Sequence, residues 1–137
     1  MIIIEQGQLL TLRRTRSDRV YWVFPGGGIE DNETIEGALI REGKEELGIE
    51  VLPIRELISL PNGKKELLGQ MEHFYICDIK NGVLGTGEGP EYQTGSGYHG
   101  KYDISWIPME KLGEFDLRPN EVRDFLLSHK ELELSDK

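Results

Sequence analysis

The sequence predicts a mixed α/β domain, and three patterns carry that prediction. Short runs in which apolar residues alternate with polar ones recur up to Ile107, as half-buried strands require. One acidic segment, opened by glycines and closed by Gly48, has helical spacing. A second helical repeat, Val122, Phe125, Leu126 and His129, follows Pro119 near the end.

Taken in order, Ile2 to Ile4 and Leu9 to Arg14 read as strands separated by the polar stretch Glu5-Gln6-Gly7-Gln8, with Leu10 and Leu12 pointing to one face. Val20 to Phe24 reads as a strand running into the glycine loop. Thr34 suits the N-cap of the acidic helix, and Gly48 its C-terminal stop. Ile49 to Leu60 and Leu67 to Ile79 alternate as strands around the turn signal Pro61-Asn62-Gly63. Tyr102 to Ile107 completes the strand set, Asn120 to His129 forms the last helix, and the tail from about Glu131 is expected to fray.

A length of 137 residues suggests one domain spanning 1–137. Hydrophobic content of 37% and charged content of 30% lie in the range of a soluble globular protein. No apolar run approaches a membrane span and no secretory leader is visible, so a cytoplasmic location is expected. Cys77 is the sole cysteine, which excludes an intramolecular disulfide, and its apolar neighbours predict a buried structural thiol. The net charge of -9 argues against unaided binding of a long nucleic acid and fits a small phosphorylated ligand escorted by metal.

The chemistry concentrates between Pro25 and Ile49. At about 100° per residue, Glu42, Glu45 and Glu46 fall within about a third of a helix circumference. Like charges at this spacing cost about 0.2–0.5 kcal/mol per pair, and Ile35, Ala38 and Leu39 share their arc, so the acids rise from a partly apolar surface. A hard divalent cation resolves the conflict: Mg²⁺ takes carboxylate oxygens and is completed by water and substrate phosphates. A second stripe of Ile40, Gly43 and Leu47 is expected to pack on a sheet. The plain reading of an acidic helix is a solvated face. Here Pro25-Gly26-Gly27-Gly28 stands in front of it, a run that permits close backbone approach to an ion or phosphate.

Gly27, five residues, Glu33, seven residues, Arg41-Glu42, two residues, Glu45-Glu46, one residue, Gly48-Ile49 resembles the signature of the Nudix hydrolases. Trp22 before Pro25, and Trp106-Ile107-Pro108 before Met109 to Leu112, also resemble family features. The resemblance implies an α/β/α sandwich around a mixed β-sheet, with the signature helix docked on it. Gly43 departs from the family pattern, which has a bulky aliphatic residue there. A glycine inside a helix costs about 1 kcal/mol relative to alanine, and a lost packing contact is expected to add to that.

The resemblance further implies metal-dependent hydrolysis of a phosphoanhydride in a nucleoside diphosphate linked to another group, with Mg²⁺ or Mn²⁺ as cofactor and a small nucleotide as substrate. Glu45, Glu46 and the Gly27 carbonyl would be metal ligands. Glu42 would bind metal or act as base on the attacking water, and Arg41 would hold the Glu42 carboxylate in place. Within the loop from Asn81 to Gly100, Gly-Glu-Gly-Pro-Glu resembles the family segment that supplies a further acidic ligand. Glu91 is favoured over Glu88 because Pro90 restrains the backbone before it, while a solvated lid accounts for both acids equally well.

Arg14, Trp22 and Tyr98 are the candidate substrate contacts. Core packing is the stronger expectation for Trp22, Tyr92 and Tyr98 could stack on a base or anchor the loop, and His99 reads first as a surface residue. Arg13, Arg14, Arg16 and Arg19 either neutralise phosphates across a cleft or mark an exposed hairpin. The nearest rival function is a house-cleaning nucleoside triphosphate pyrophosphohydrolase. Removal of pyrophosphate from RNA ends is disfavoured by the acidic charge, and a non-catalytic nucleotide sensor would not need all three helix acids. The downstream proline or tyrosine that marks some subfamilies is not evident, since Lys64 and Lys65 lie about where it is expected. A homodimer is compatible with this reading.

Overall fold

The first four residues, all buried, stitch two sheets together. The computed structural model describes residues 1–61, 71–85 and 101–129. One sheet contains β1 (Ile4–Glu5), β2 (Gln8–Arg16), β3 (Arg19–Val23), β6 (Lys101–Pro108) and β7 (Leu117–Arg118); the other is the antiparallel pair β4 (Ile49–Pro61) and β5 (Met71–Gly82). Ile2 forms a parallel bridge to Ile76 in β5, with its N–H donating to the Tyr75 carbonyl and its own carbonyl accepting from Cys77. On its other side the Ile3 carbonyl accepts from Leu10 in β2. The β3–β7 pairing is parallel and the remaining strand pairings antiparallel, so the sheet is mixed.

Side-chain alternation along β2 then divides the interior in two. Leu9 joins Ile107, Leu117, Val122 and Leu126 on the face covered by α2 (Asn120–Ser128). Leu10 and Leu12 join Leu39, Leu47, Ile49, Val51 and Cys77 on the face covered by α1 (Ile35–Glu42). The sheet is therefore sandwiched between helices, as the motif resemblance implies. Cys77 is buried as expected, and burial pushes its thiol pKa up to about 11.

Several boundaries move for local reasons. Glu5 and Gln8 belong to strands, because Gln6 and Gly7 both take positive φ and close a two-residue hairpin between them. Strand β2 runs to Arg16, two residues further than its apolar pattern, since Arg13 to Arg16 continue the register with β3 and β6. The short β7 has no sequence pattern of its own and exists through pairing with β3. Met109–Glu114 forms a 3₁₀ turn, and Pro61 ends β4, while Asn62 and Gly63 lie outside the described residues.

The acidic helix differs most. It is α-helical only to Glu42 and continues through Gly43–Leu47 as a π-turn, closed by Gly48 at φ 77°. The wider turn rephases the buried stripe, which consists of Ala38, Leu39, Gly43 and Leu47, whereas Ile40 is 43% exposed and does not pack on the sheet. Gly43 loses no contact. A Cβ there would stand 2.9 Å from Val51 Cγ1 and 3.3 Å from the Ile49 carbonyl oxygen, so β4 already fills the space of the missing side chain.

Gly43→Ala should therefore destabilise the fold by about 1–2 kcal/mol despite the better helix propensity of alanine, because a β-branched neighbour yields poorly. Urea unfolding of Gly43→Ala, Val51→Ala and the double variant tests this. The double variant should be more stable than the sum of the single effects predicts, and a stabilising Gly43→Ala would refute the close-approach explanation.

Candidate active site

Thr34 starts α1 as expected: its Oγ1 accepts from the Gly37 N–H at 2.9 Å. That fixes where the acids of the following turns emerge. The glycine loop then closes over them from the end of β3. Glu46 Oε1 accepts from the Gly26 N–H at 2.7 Å, tying the π-turn to the first glycine of the loop. Gly27 lies so close to Glu42 that a Cβ would stand 2.7 Å from the carboxyl carbon and overlap its oxygens. A side chain at position 27 would require the Glu42 carboxylate to shift.

Arg41 holds the assembly together and uses all five of its N–H donors. Nε donates to Glu33 Oε2 at 2.7 Å, and Nη2 donates to Glu33 Oε1 at 3.1 Å and to the Gly28 carbonyl at 2.8 Å. Nη1 donates to Glu42 Oε1 at 2.9 Å and to Glu45 Oε2 at 3.1 Å, with Glu30 Oε1 at 3.5 Å. The expected Arg41–Glu42 contact is present. Glu33, a fixed position of the motif for which the spacing gave no role, is the bidentate partner of Arg41 and also accepts from the Glu30 N–H at 2.8 Å, closing the turn at Asn32. These bonds raise the Arg41 pKa above its ordinary value, and the Arg41 hydrogen bond, followed by that of the Glu30 backbone, lowers the Glu33 pKa.

The helix acids thus do not face one another bare. Arg41 already compensates Glu42 and Glu45; the buried Met1 amino group, which donates to the Pro25 carbonyl at 2.6 Å, has its pKa lowered by burial, an effect that Cys77, Glu46 and Glu42 oppose in part. Among the described residues no three His, Cys, Asp or Glu side chains converge on one point. The donor set is nonetheless hard oxygen throughout, and the glycine backbone at 27 has no room for a Cβ against the Glu42 carboxylate. Glu42, Glu45, Glu46 and the Gly27 carbonyl supply hard oxygen donors of the kind a divalent cation takes, although their carboxylates do not converge in this arrangement.

Arg14 lies on the same sheet face as α1, its guanidinium 4.9 Å from the centroid of Tyr102. Trp22 lies on the opposite face, edge-on to Phe115 with centroids 4.8 Å apart, which is the packing role expected first for it. Glu88, Glu91, Tyr92, Tyr98 and His99, together with Lys64 and Lys65, lie outside the described residues.

A family profile described as NUDIX domain matches residues 1–132. An RNA pyrophosphohydrolase of Hydrogenovibrio crunogenus is 29% identical over 133 residues, covering 84% of this chain and 76% of that protein. A CTP pyrophosphohydrolase of Escherichia coli K12 is 28% identical over 123 residues, covering 88% and 82%. Among solved structures, the E. coli ORF135 protein superimposes with a TM-score of 0.67 at 24% identity, covering 94% of this chain and 86% of that one, which supports the fold.

The Glu33–Arg41 clasp predicts a pH dependence. A carboxylate whose folded pKa is lowered contributes stability that is present above its unfolded pKa, about 4.3 for glutamate, and lost as pH falls through the folded value. Glu33→Gln should melt below the wild type at pH 7. Thermal unfolding between pH 7 and pH 3 should show that difference shrinking below about pH 4, and a gap constant across the range would mean that the Glu33 charge is not what the clasp uses.

Proposed function

The chain belongs to the NUDIX family, and from this we propose that it hydrolyses a phosphoanhydride in a nucleoside diphosphate linked to another group. The observation that carries the reading is the mutual fit of loop and helix: Glu46 on the Gly26 amide, the Glu42 carboxylate against Gly27, and Arg41 joining Gly28, Glu33, Glu42 and Glu45. Glycine backbone and carboxylates are held together where a phosphate chain and its counterion need both.

The family generally uses a divalent cation, and here Mg²⁺ or Mn²⁺ would be held by Glu42, Glu45, Glu46 and the Gly27 carbonyl. When bound, it neutralises phosphate charge and lowers the pKa of a coordinated water. The protein's own part is orientation. Arg41 keeps Glu42 beneath the loop, where Glu42 would bind the metal or take a proton from the attacking water. Glu45, with its side chain 47% exposed and one oxygen on Arg41, can turn to an ion without leaving the turn that carries it. Glu91 is proposed as a further ligand, and Tyr98 with Arg14 as contacts to the nucleoside end. A single domain over 1–137 acting on a small nucleotide fits this assignment. No helix among the described residues is long and apolar enough to cross a membrane; a cytoplasmic site of action belongs to this proposal.

A second reading, a nucleoside triphosphate pyrophosphohydrolase, is favoured by the CTP pyrophosphohydrolase among the relatives. Both readings use the same acids and differ in the leaving group. A panel of nucleoside triphosphates, nucleotide sugars, ADP-ribose and dinucleoside polyphosphates, assayed with Mg²⁺ and with Mn²⁺, separates them.

On the best panel substrate, Glu45→Gln and Glu46→Gln should each lower kcat at least about a hundredfold, with the melting temperature within a few degrees of wild type. Near-normal turnover in both variants would remove these acids from the mechanism. Tight nucleotide binding without turnover on any substrate would favour a sensor.

A further inference from the structure

Asn81 and Gly82 end β5 where that strand meets the π-turn. Gly82 packs so closely there that a Cβ would stand 2.6 Å from the Gly48 carbonyl oxygen and 2.8 Å from Ile49 Cα, and its φ of 105° is a conformation that side chains rarely adopt. The fold thereby holds a glycine at 82, and with it the dipeptide Asn-Gly. Three residues on, the Gly85 N–H donates to the Leu47 carbonyl at 2.9 Å. Residues 82 and 85 fasten the end of β5 to the last residues of the turn that carries Glu45 and Glu46.

Asn81 brings an electrophile into the same corner. The Gly82 N–H donates to Asn81 Oδ1 at 2.8 Å, and both residues are exposed to water. With a carbonyl bond of about 1.2 Å, this contact sets the Gly82 nitrogen about 3–4 Å from Asn81 Cγ, at or just beyond the separation of a near-attack arrangement. Because Oδ1 accepts the bond, Nδ2 is the end of the carboxamide turned away from the backbone. No side chain on the following residue shields the attacking nitrogen. Asn32 and Asn120 are exposed as well, but each precedes a glutamate, so exposure does not single out Asn81; the glycine and the short contact do.

We propose that Asn81 is a site of spontaneous deamidation, and that the modification acts on the candidate active site through the junction of β5 with the π-turn. The Gly82 nitrogen, its proton lost to a base in solution, attacks Asn81 Cγ; the new C–N bond closes a five-membered succinimide, and Nδ2 takes a proton from water and leaves as ammonia. Water then opens the ring. Addition at Cγ restores an ordinary peptide bond with an aspartate at position 81, whereas addition at the main-chain carbonyl carbon leaves the peptide bond on Cγ and gives an isoaspartyl residue, whose main chain is longer by one methylene. Either product puts a carboxylate directly opposite Glu50, an unfavourable cross-strand pair. The isoaspartyl product also displaces Gly82, which has no clearance against the Gly48 carbonyl and Ile49. The chemistry is independent of the hydrolase reading; only its effect on turnover rests on that reading.

The test ages the full chain at mildly alkaline pH, folded in buffer and unfolded in guanidinium chloride, in ordinary and in ¹⁸O-labelled water, with peptide mass mapping and enzymatic methylation to count isoaspartyl groups. Asn81 should gain one mass unit in ordinary water and three in labelled water, at a folded-state rate no less than about a third of its unfolded-state rate, while Asn32 and Asn120 stay intact. A lower folded-state rate would show that the fold shields the pair, and equal modification of Asn32 or Asn120 would show that the geometry at 81 contributes nothing; either would overturn the site. Asn81→Gln, which would have to close a six-membered ring, should remain unmodified and keep its melting temperature through the same ageing. The isoaspartyl fraction of the aged wild type should melt at least about 4 °C below Asn81→Asp, which carries the new charge on an unaltered main chain. Equal melting temperatures of those two would overturn the coupling to the π-turn. On the best panel substrate, turnover should fall in step with the isoaspartyl fraction, and a chain that turns over nothing would refute the hydrolase reading while mapping and melting still decide the modification.

Discussion

The guanidinium of Arg41 is the constraint on which the site depends. A side chain with five donors in a fixed plane can satisfy all of them only if its acceptors are brought to that plane, and here they come from the loop at Gly28 and Glu33 and from the helix at Glu42 and Glu45. The loop is thereby docked on the helix. The same contact spreads one positive charge over the carboxylates of Glu33, Glu42 and Glu45, which offsets the repulsion between the helix acids at positions 42 and 45. Lysine, a point charge with three donors, could not span the same acceptors.

The π-turn is the second device, and it works with Gly43. A continuous α-helix would keep the phase of its apolar stripe fixed. Widening one turn lets Leu47 return to the core after Leu39 while Glu45 and Glu46 stay on the side of the glycine loop. The absence of a side chain at 43 allows β4 to approach that turn directly, with Val51 in the vacated space. Packing and chemistry meet at this residue, because any bulk added there pushes the turn that carries two of the acids.

Charge is distributed along one sheet face in a way that the net value conceals. The acids gather under the glycine loop, and the arginines of β2 and β3 gather at the far end. A net charge of -9 is a statement about long-range steering averaged over the whole surface. It does not describe the local potential where a substrate lies, since unscreened interactions reach only about 8–10 Å at moderate ionic strength.

The sequence by itself determined the fold class, most strand and helix identities, the Thr34 cap and the Gly48 stop, because each of these depends on residues within one element, where periods of 2 and 3.6 and the chemistry of caps are local. It also placed Cys77 inside and Leu10 with Leu12 on one face. Other features depend on contacts between elements. The role of Glu33, the exposure of Ile40, the filling of the space at Gly43 and the short strand β7 follow from which surfaces meet, and a periodic pattern does not encode its partner. The same holds for Trp22 and Arg14, eight positions apart on adjacent strands. The register of the β2–β3 hairpin, which sets Trp22 opposite Arg13, puts one of them on each side of the sheet, and the docking of α1 on the Leu10 face and of α2 on the Leu9 face decided that Arg14 lies on the side of the acids and Trp22 in the opposite core.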